Sequence, residues 1–466
     1  MLVRASYDEA TVKALVRADG LDFGLGLSTL RLRPSGNEAL GRLVRLFLAG
    51  DRLEEAHARA ALEPVEIADL EAAGLVESTP DGVRALVRLN PVRGTIVASD
   101  PRSPGRRLPP DHVIAPGPAS ETLAALTVRA PVATALDLCC GSGVQALLAA
   151  EHADRVVGTD LNPRALHLAV LSAALSGADN VEWRLGDLFE PVDDELFDLV
   201  VSNPPFVISP ATELTFRDGA RGGDELSSEI LTGVAARLLE GGFGHVLCSW
   251  VRGSGEHWSE TPARWLEGHG CDAVILHLDS ESPATYAVRW TSIDAASPAE
   301  AVDRAESWLE YYAMLGIEEI ATGLVVLRRR SGANWVHADE LTAASVEAGA
   351  HLARVFAGHD TLAGLDDERA LLELRLTFAP AVRLVERWDP STKLARARLT
   401  IAGGVQLPGP ITPPSAAPVL RALDGCRTLA EAATAADVPS SELDAALASL
   451  RDLVRRGYLV VGRAAG

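Results

Sequence analysis

The residues that can carry chemistry lie in four short stretches between positions 136 and 206. The first, LDLCCGSGVQALL (136–148), is typical of an apolar strand that contains Asp137, followed by a glycine turn and a helix start. Gly141 and Gly143 let the backbone approach a ligand where a Cβ would collide, and the helix start offers unpaired N–H groups. A dinucleotide site is not indicated, because no third glycine follows Gly143 at the required place.

Two more carboxylates stand at the ends of the next two predicted strands. Asp160 ends RVVGTD and follows Asp137 by about 23 residues, the spacing at which an acidic residue reaches ribose hydroxyls in such folds. Asp187 follows the third strand, where its carboxylate can accept a hydrogen bond from an adenine amino group. Any one of these acids alone is as often a loop cap. The three together predict a ligand that contains adenosine.

The fourth stretch, FDLVVSNPPF, brings Asn203 to the carboxyl edge of the predicted sheet, where open α/β folds bind ligands. Pro204 and Pro205 restrict the backbone so that a carbonyl and the Asn203 amide oxygen can both act as acceptors for one planar –NH2 group. Phe206 can stack on the flat face of the planar substrate group that carries this –NH2. An Asn-Pro turn after a strand is the plainer alternative, but its position after three ligand signals favours an acceptor pocket.

In this order the motifs resemble a known group of enzymes. DLCCGSG, TDLNP, GDL and NPPF look like the class I methyltransferases of the NPPY/NPPF group, which have a small methyltransferase domain. The group includes release-factor glutamine methyltransferases and N6-adenine or N2-guanine methyltransferases. The segments HVIAPGPASETLAAL (112–126) and RDGARGGDEL (217–226) are similar to flanking segments of the glutamine-modifying branch. The resemblance covers roughly residues 110–330, and it implies that S-adenosyl-L-methionine is the cofactor.

Carried over residue by residue, the resemblance implies two sets of contacts. Gly141 and Gly143 would cradle the methionine part of the cofactor, Asp160 its ribose, and Asp187 with Leu188 its adenine. The other expected cofactor contacts are Asp137, Cys139, Leu161, Asn162, Asn203 and Thr122. Asn203, Pro204, Pro205 and Phe206 would hold the acceptor nitrogen, and Glu121 with Thr122 would close the pocket from above.

Two departures from the group's pattern bear on this interpretation. The glycine turn carries the vicinal pair Cys139 and Cys140, which we interpret as small core filling beside the cofactor, because vicinal cysteines form only strained bridges. Phe206 replaces the tyrosine usual in the glutamine branch and favours a nucleobase acceptor. The downstream segment 217–226 favours a glutamine instead.

The elements that must position these residues form a Rossmann-like fold. Apolar strands alternate with amphipathic helices from about 132 to 330, which predicts a mostly parallel, doubly wound α/β sheet. Residues 37–99 read as three helices and two strands joined across a Pro-containing turn, a winged-helix-like pattern. After the sheet we predict a helix from 339 to 358, then a stretch in which apolar and polar residues alternate as in strands. A second winged-helix-like module ends the prediction. We therefore predict domains at 1–108, 109–332 and 333–466, the first including a Pro-, Gly- and Arg-rich linker.

Composition limits the remaining possibilities. The net charge is −21, which disfavours a broad surface that tracks phosphates. The five cysteines show no CxxC spacing, so neither a disulfide framework nor a metal site is indicated, and reduced cytoplasmic thiols fit best. No apolar run approaches the roughly 18 residues of a membrane span.

Three functions remain open from the sequence. The first is methylation of an exocyclic base amine of RNA or DNA, gripped by the flanking modules. The candidate phosphate contacts are then Arg102, Arg106, Arg107, Arg455 and Arg456. The second is methylation of a protein glutamine, for which acidity is no obstacle. The third is a non-enzymatic, cofactor-sensing DNA-binding regulator, against which the intact NPPF counts. The oligomeric state is left open.

Overall fold

Two compact units make up the structure, a computed structural model that describes residues 1–16, 38–101, 107–211, 213–218, 221–293, 295–344, 348–367, 369–389, 394–402, 404–406 and 416–462. The first unit comprises Met1–Ala124 and Ala130–Ala338, and the second Ala125–Arg129 and Asp339–Gly466. The domain boundaries at 108 and 332 stay predictions. Of the candidate phosphate contacts, Arg102 and Arg106 lie outside the described residues.

The N-terminal module consists of helices followed by two hairpins. Its helices are α1 (Glu9–Val16), α2 (Glu38–Leu43), continued by a π-helical turn (Val44–Leu48), α3 (Glu55–Leu62) and α4 (Ile67–Ala72). Its strands are β1 (Val76–Thr79), β2 (Gly82–Ala85), β3 (Arg88–Val92) and β4 (Thr95–Ser99), paired β1 with β2 and β3 with β4. Gly74 ends α4 with a φ of +69°, the left-handed conformation that glycine adopts without penalty.

The strands of this module differ from the two that were predicted. The expected strand over 83–90 is divided between β2 and β3, and β1 was not expected. Pro91 lies inside β3, whereas the turn between β3 and β4 is made by Arg93 and Gly94, which have φ values of +46° and +87°. Two consecutive left-handed residues form the type of turn that matches the twist of a tight hairpin.

The predicted parallel sheet is confirmed. Eight strands lie in the order β12-β10-β11-β9-β8-β5-β6-β7. They are β5 (Val132–Leu138), β6 (Ala153–Asp160), β7 (Val181–Leu185), β8 (Phe197–Ser202), β9 (Leu238–Arg252), β10 (Cys271–Glu281), β11 (Glu319–Arg329) and β12 (Val336–Glu340). The five from β5 to β9 pair in parallel, and β11 runs antiparallel to both its neighbours.

Helices cover both faces of this sheet. They are α5 (Pro118–Leu126), α6 (Val144–Ala150), α7 (Pro163–Ser176), α8 (Glu225–Ala236), α9 (Glu260–Leu266), α10 (Pro283–Thr291) and α11 (Pro298–Met314). One core contains strand residues such as Val200 packed with Ile230 and Val234 of α8. A second core, on α6 and α7, includes Leu147. Burial on both faces explains why these strands are continuously apolar rather than alternating. Helix α10 was not predicted.

The second unit is built from α12 (Gly349–Ala363), α13 (Ala416–Ala422), α14 (Leu429–Ala435) and α15 (Ser440–Arg455). Its strands are β13 (Ala343–Ala344), β14 (Leu376–Phe378), β15 (Val382–Asp389), β16 (Leu394–Ile401), β17 (Val405–Gln406) and β18 (Leu459–Val461). The predicted order of three helices and a strand at the C-terminal end is confirmed. The helix predicted over 339–358 begins only at Gly349, because Val336–Glu340 pairs as β12 instead.

Candidate active site

A cavity of about 300 Å³ opens at the carboxyl ends of the parallel strands in the first unit. Strand β5 has β6 on one side and β8 on the other, so the connection from β5 to β6 and the connection from β8 to β9 run in opposite directions along the sheet. Parallel α/β sheets bind ligands at such a switch point, since loops on either side diverge there. All four stretches that the sequence singled out supply residues to the lining of this cavity.

Most of the predicted contacts lie together in this lining. They are Asp137, Cys139, Gly141, Asp160, Leu161, Asn162, Asp187, Leu188, Asn203, Pro204, Pro205 and Phe206. Gly143, Glu121 and Thr122 are not among the lining residues. Their expected contacts with the cofactor or the acceptor stay predictions.

The two glycines of the turn act differently. Gly141 has a φ of +54°, and a Cβ added to it would meet no protein atom within 4 Å, so this position borders open cavity. Gly143 has a φ of +84° and precedes α6, but its added Cβ would lie 2.5 Å from the Trp183 ring. Gly143 is thus needed for packing against β7 and for its left-handed backbone rather than for contact with a ligand.

Asp160 connects the glycine turn to the start of α7. Its carboxylate accepts hydrogen bonds of 2.8 Å from the backbone N–H of Gly141 and of Asn162. Burial raises the pKa of Asp160, while the neighbouring backbone N–H groups oppose that shift. Asn162 caps α7 by accepting from the backbone N–H of Arg164 at 2.9 Å. The loop that carries the predicted ribose contact is therefore rigidly held.

Asp137 is buried beneath the turn and accepts a 2.8 Å hydrogen bond from the backbone N–H of Ala146 in α6. Burial raises the pKa of Asp137 to about 8, with a contribution from the Asp160 charge, although the Ala146 N–H lowers it. A carboxyl group held in this way is poised to take a positive partner, because a nearby cation favours its charged form.

The thiols of the vicinal pair are unreactive in this setting. Burial and the charges of Asp160 and Asp137 raise the pKa of both Cys139 and Cys140 well above the usual range. Cys139 lines the cavity with a φ of +59°, and Cys140 is buried behind it. Their protonated state agrees with the packing role that the sequence suggested, since only the thiolate is nucleophilic.

Asp187 lies at the far end of the cavity, next to Leu188. Arg221, in the glycine-rich segment that follows NPPF, approaches the Asp187 carboxylate to 3.6 Å and hydrogen-bonds Glu229 in α8 at 3.0 Å. Arg221 also lines the cavity. A positive charge therefore borders the predicted adenine contact, which the sequence reasoning did not include.

Asn203 leaves β8 with its side chain in the cavity wall. Its Nδ2 atom donates a 3.3 Å hydrogen bond to Ser120 Oγ, so the amide oxygen Oδ1 is the atom left to accept from a substrate. The Pro204 carbonyl already accepts a 2.8 Å hydrogen bond from the Phe206 backbone N–H, which leaves it one further lone pair. The two acceptors needed for one –NH2 group are both present.

Helix α5 contributes Ala119 and Ser120 to the cavity, not Glu121 and Thr122. Successive residues of a helix point about 100° apart, so a shift of one or two positions selects a different face. The Ser120 backbone carbonyl also accepts a 2.9 Å hydrogen bond from Gln145 Nε2 in α6. The segment 112–126 therefore borders the cavity through Ala119 and Ser120 of this helix.

Sequence reasoning also missed the wall beyond NPPF. Arg217 and Asp218 form an ion pair of 2.7 Å in which both side chains are fully buried. Asp218 further accepts from Ser209 Oγ at 2.9 Å and from the Leu214 N–H at 3.0 Å, which folds the segment around it. Trp290 of α10 completes this wall. Arg217 and Asp218 belong to the flagged segment 217–226, whereas nothing in the sequence pointed to Trp290.

The lining suits S-adenosylmethionine. Carboxylates at three successive strand ends can accept from the amino and hydroxyl groups of such a ligand, and the opening at Gly141 leaves room that a Cβ would fill. The buried Thr159 hydroxyl, which also lines the cavity, has no hydrogen-bond partner within the described part of the chain. A ligand oxygen or nitrogen can supply that partner.

Among the residues described, no group of three or more His, Cys, Asp and Glu side chains could hold a metal ion. In the same residues, no helix is both long and apolar enough to cross a membrane.

Two family models match parts of this chain. The model of the methyltransferase small domain matches residues 118–221, and that of a domain of unknown function (DUF7059) matches residues 4–86. A ribosomal protein uL3 glutamine methyltransferase of Bradyrhizobium diazoefficiens is 32% identical over 160 residues, which cover 31% of this chain and 49% of that protein.

Two further relatives have related names. A ribosomal protein uL3 glutamine methyltransferase of Xanthomonas campestris pv. campestris is 35% identical over a match that covers 35% of this chain and 58% of that protein. A release factor glutamine methyltransferase of Cereibacter sphaeroides is 42% identical over a match that covers 20% of this chain and 34% of that protein. The matches thus span between 34% and 58% of these relatives. The chain carries a class I methyltransferase domain of the small-domain group that is marked by Asn-Pro-Pro-Tyr or Asn-Pro-Pro-Phe.

Proposed function

We propose that this protein transfers a methyl group from S-adenosylmethionine to the side-chain amide nitrogen of a glutamine in another protein. The observation that carries the proposal is the fixed orientation of Asn203, whose Nδ2 is engaged by Ser120 so that Oδ1 is available as an acceptor. With the Pro204 carbonyl it matches the two hydrogens of one planar –NH2 group.

A glutamine fits better than the nucleobase that Phe206 favoured. The relatives reported above are named as methyltransferases of protein glutamines. The three candidate phosphate contacts that the structure describes are already paired with acids of this chain: Arg107 with Glu300, Arg455 with Asp452, and Arg456 with Asp339 and Asp452. Together with the net charge of −21, this leaves little positive surface for a phosphate backbone.

The residues of the pocket position the acceptor rather than ionise it. S-adenosylmethionine supplies an electrophilic methyl group bonded to a positively charged sulfur. Asn203 Oδ1 and the Pro204 carbonyl hold the –NH2 group, and Phe206 covers its flat face. Gly141, Asp160 and Asp187 line the cavity and would hold this cofactor, which would supply the methyl group, and the acceptor nitrogen would release one proton to solvent after the transfer. Alignment of the nitrogen and exclusion of water account for the rate enhancement.

The acceptor class is tested by transferring tritiated methyl groups into an extract of a strain that lacks this protein. We expect the label in material that protease removes and RNase leaves, and N-methylglutamine after complete digestion. Label that RNase or DNase removes would overturn the glutamine assignment in favour of a nucleobase. No transfer into either, with intact cofactor binding, would favour a non-enzymatic sensor.

The acceptor pocket is tested in the same assay with Asn203→Ala and Asp160→Ala. Asn203→Ala removes the oriented acceptor, so turnover should fall by about 100-fold or more while the affinity for S-adenosylhomocysteine changes little. Asp160→Ala should instead weaken calorimetric binding of S-adenosylhomocysteine. His57→Gln, on an exposed helix of the N-terminal module, is the control. Normal turnover in Asn203→Ala would contradict the assignment.

A further inference from the structure

The helix that begins at the predicted ribose loop is shared between two parts of the first unit. On its outer face, α7 places Ala165 and Leu168 in the hydrophobic core of the N-terminal module, where Leu171 and Leu175 pack as well. That core also contains Val113, from the segment that leads to α5. The module therefore uses part of the methyltransferase fold as its own interior.

Hydrogen bonds join the outer strand of the module to the same helix. The Ala98 backbone N–H donates to Ser172 Oγ at 2.8 Å, and the Ile96 N–H donates to Ser176 Oγ at 3.0 Å. Ser172 is fully buried. Two serines one helical turn apart thus satisfy the open edge of β4, which fixes the position of the strand along α7.

Asp100 follows β4 directly and is buried. Its carboxylate accepts from Arg164 Nε at 2.9 Å and from the Val113 backbone N–H at 2.9 Å. The Asp100 N–H in turn donates to the Val113 carbonyl at 2.9 Å. One carboxylate therefore connects the end of the module to the first turn of α7 and to the segment around Val113.

The groups that Asp100 holds form two sides of the cavity. Residues 112–116 line it on one side, and Asn162, two residues before Arg164, lines it on another. The Asn162 Nδ2 group also donates to the Asp111 carbonyl at 2.9 Å, so the two sides are tied to each other as well. A change at Asp100 would loosen both at once.

We propose that the N-terminal module serves to position the cofactor site, and that Asp100 is the positioning residue that transmits its support. The module then acts as a fixed wall of the methyltransferase domain rather than as an independent nucleic-acid-binding unit. This inference rests on the proposed function only in taking S-adenosylmethionine as the ligand of the cavity.

The test compares two matched carboxylates of the same module. Asp100 and Asp51 have side chains 7% and 6% exposed, and their partners Arg164 and Arg45 are 44% and 41% exposed. Asp51 pairs with Arg45 inside the module and does not line the cavity. Asp100→Asn and Asp51→Asn each weaken one Arg–carboxylate pair of similar exposure, while only the first should disturb the cavity.

The first readout is calorimetric binding of S-adenosylhomocysteine to the full chain, with the melting temperature measured beside it. We expect Asp100→Asn to bind about tenfold more weakly than the parent, and Asp51→Asn to bind as the parent does. Equal affinity in both variants, or a loss that simply follows the melting temperature in both, would overturn the proposal. If Asp100→Asn does not fold, Arg164→Gln and Arg45→Gln form the equivalent pair.

The second readout needs no ligand. Hydrogen–deuterium exchange of the amides at 112–116 and in the first turn of α7 should be faster in Asp100→Asn than in the parent, and unchanged in Asp51→Asn. Unchanged exchange in Asp100→Asn would overturn the positioning role even where binding had weakened. Failure of the parent chain to bind S-adenosylhomocysteine would instead count against the proposed cofactor, and the exchange comparison would still decide the role of Asp100.

Discussion

At the scale of single residues, the acceptor pocket depends on one serine hydroxyl. An asparagine amide presents an oxygen or a nitrogen according to its rotation, and only the oxygen can accept from an –NH2 group. In the structure the Asn203 Nδ2 group donates to Ser120 Oγ, which leaves Oδ1 to accept. A side chain outside the NPPF motif therefore contacts the asparagine of the motif.

Replacing Ser120 by alanine tests this dependence. Without the hydroxyl, Asn203 can rotate, so turnover in Ser120→Ala should fall by about tenfold, the free-energy equivalent of one typical hydrogen bond. The affinity for S-adenosylhomocysteine should stay within about twofold, because Asn203 remains in place. Ser120→Thr, which keeps a hydroxyl, should recover most of the activity. Equal turnover in Ser120→Ala and the parent would show that Asn203 is oriented by other contacts.

At the scale of elements, a side chain of the neighbouring strand β7 restricts the glycine turn. The ring of Trp183 in β7 lies against Gly143 of the turn and against Gly158 of β6. A Cβ added to either glycine would lie 2.5 Å from the Trp183 ring. Gly158 has an ordinary φ, whereas Gly143 has a φ of +84°. The two glycines thus share one steric requirement, and Gly143 has a conformational requirement in addition.

A double-mutant comparison separates these two requirements. Gly158→Ala and Gly143→Ala should each lower the free energy of unfolding by about 1–3 kcal/mol through overpacking. Adding Trp183→Leu should restore most of the loss in Gly158→Ala. It should leave about 1–2 kcal/mol of loss in Gly143→Ala, the cost of a left-handed alanine. Urea denaturation measures both cycles, and a Gly158→Ala that Trp183→Leu did not relieve would contradict the packing assignment.

At the scale of the whole molecule, the second unit has its own buried polar centre. His351 of α12 is fully buried, its Nε2 bonded to the Arg456 carbonyl at 2.7 Å and its Nδ1 accepting from the Val405 N–H at 3.1 Å. Burial lowers the pKa of His351 to about 4, although the Arg456 carbonyl opposes that shift. The neutral ring therefore links α12 to β17 and to the end of α15.

This histidine predicts a pH-dependent stability of the second unit. Between about pH 6.5 and pH 4 the unfolded chain binds a proton at His351 that the folded chain does not, so the free energy of unfolding falls as the pH is lowered. The parent should therefore lose its advantage over His351→Gln by up to about 3 kcal/mol across this range. Denaturant unfolding at several pH values measures the difference, with His57→Gln as the control. A constant difference would refute the assignment.

Much of the catalytic fold was predictable because its signals are local. The apolar strands β5 to β9, the acids that follow them and the NPPF motif are contiguous in sequence, and the carboxyl ends of parallel strands meet at one edge. Three residues of the predicted site, Gly143, Glu121 and Thr122, are not in the lining of the cavity, because the lining depends on which face of a helix or turn meets it. A shift of one residue changes that face, and only packing determines it.

By itself, the sequence determined the parallel sheet, and it predicted a ligand with adenosine at the sheet's edge and a pair of acceptors for a planar nitrogen. Each of these depends on residues close together in the chain. Only the tertiary structure decided that Ser120 orients Asn203, that Trp290 and the Arg217–Asp218 pair complete the wall, and that Asp100 ties the N-terminal module to the ribose loop. These contacts join residues that the intervening sequence separates widely or that no motif marks. The hydrophobic burial that brings them together is not directional, so no local pattern records it.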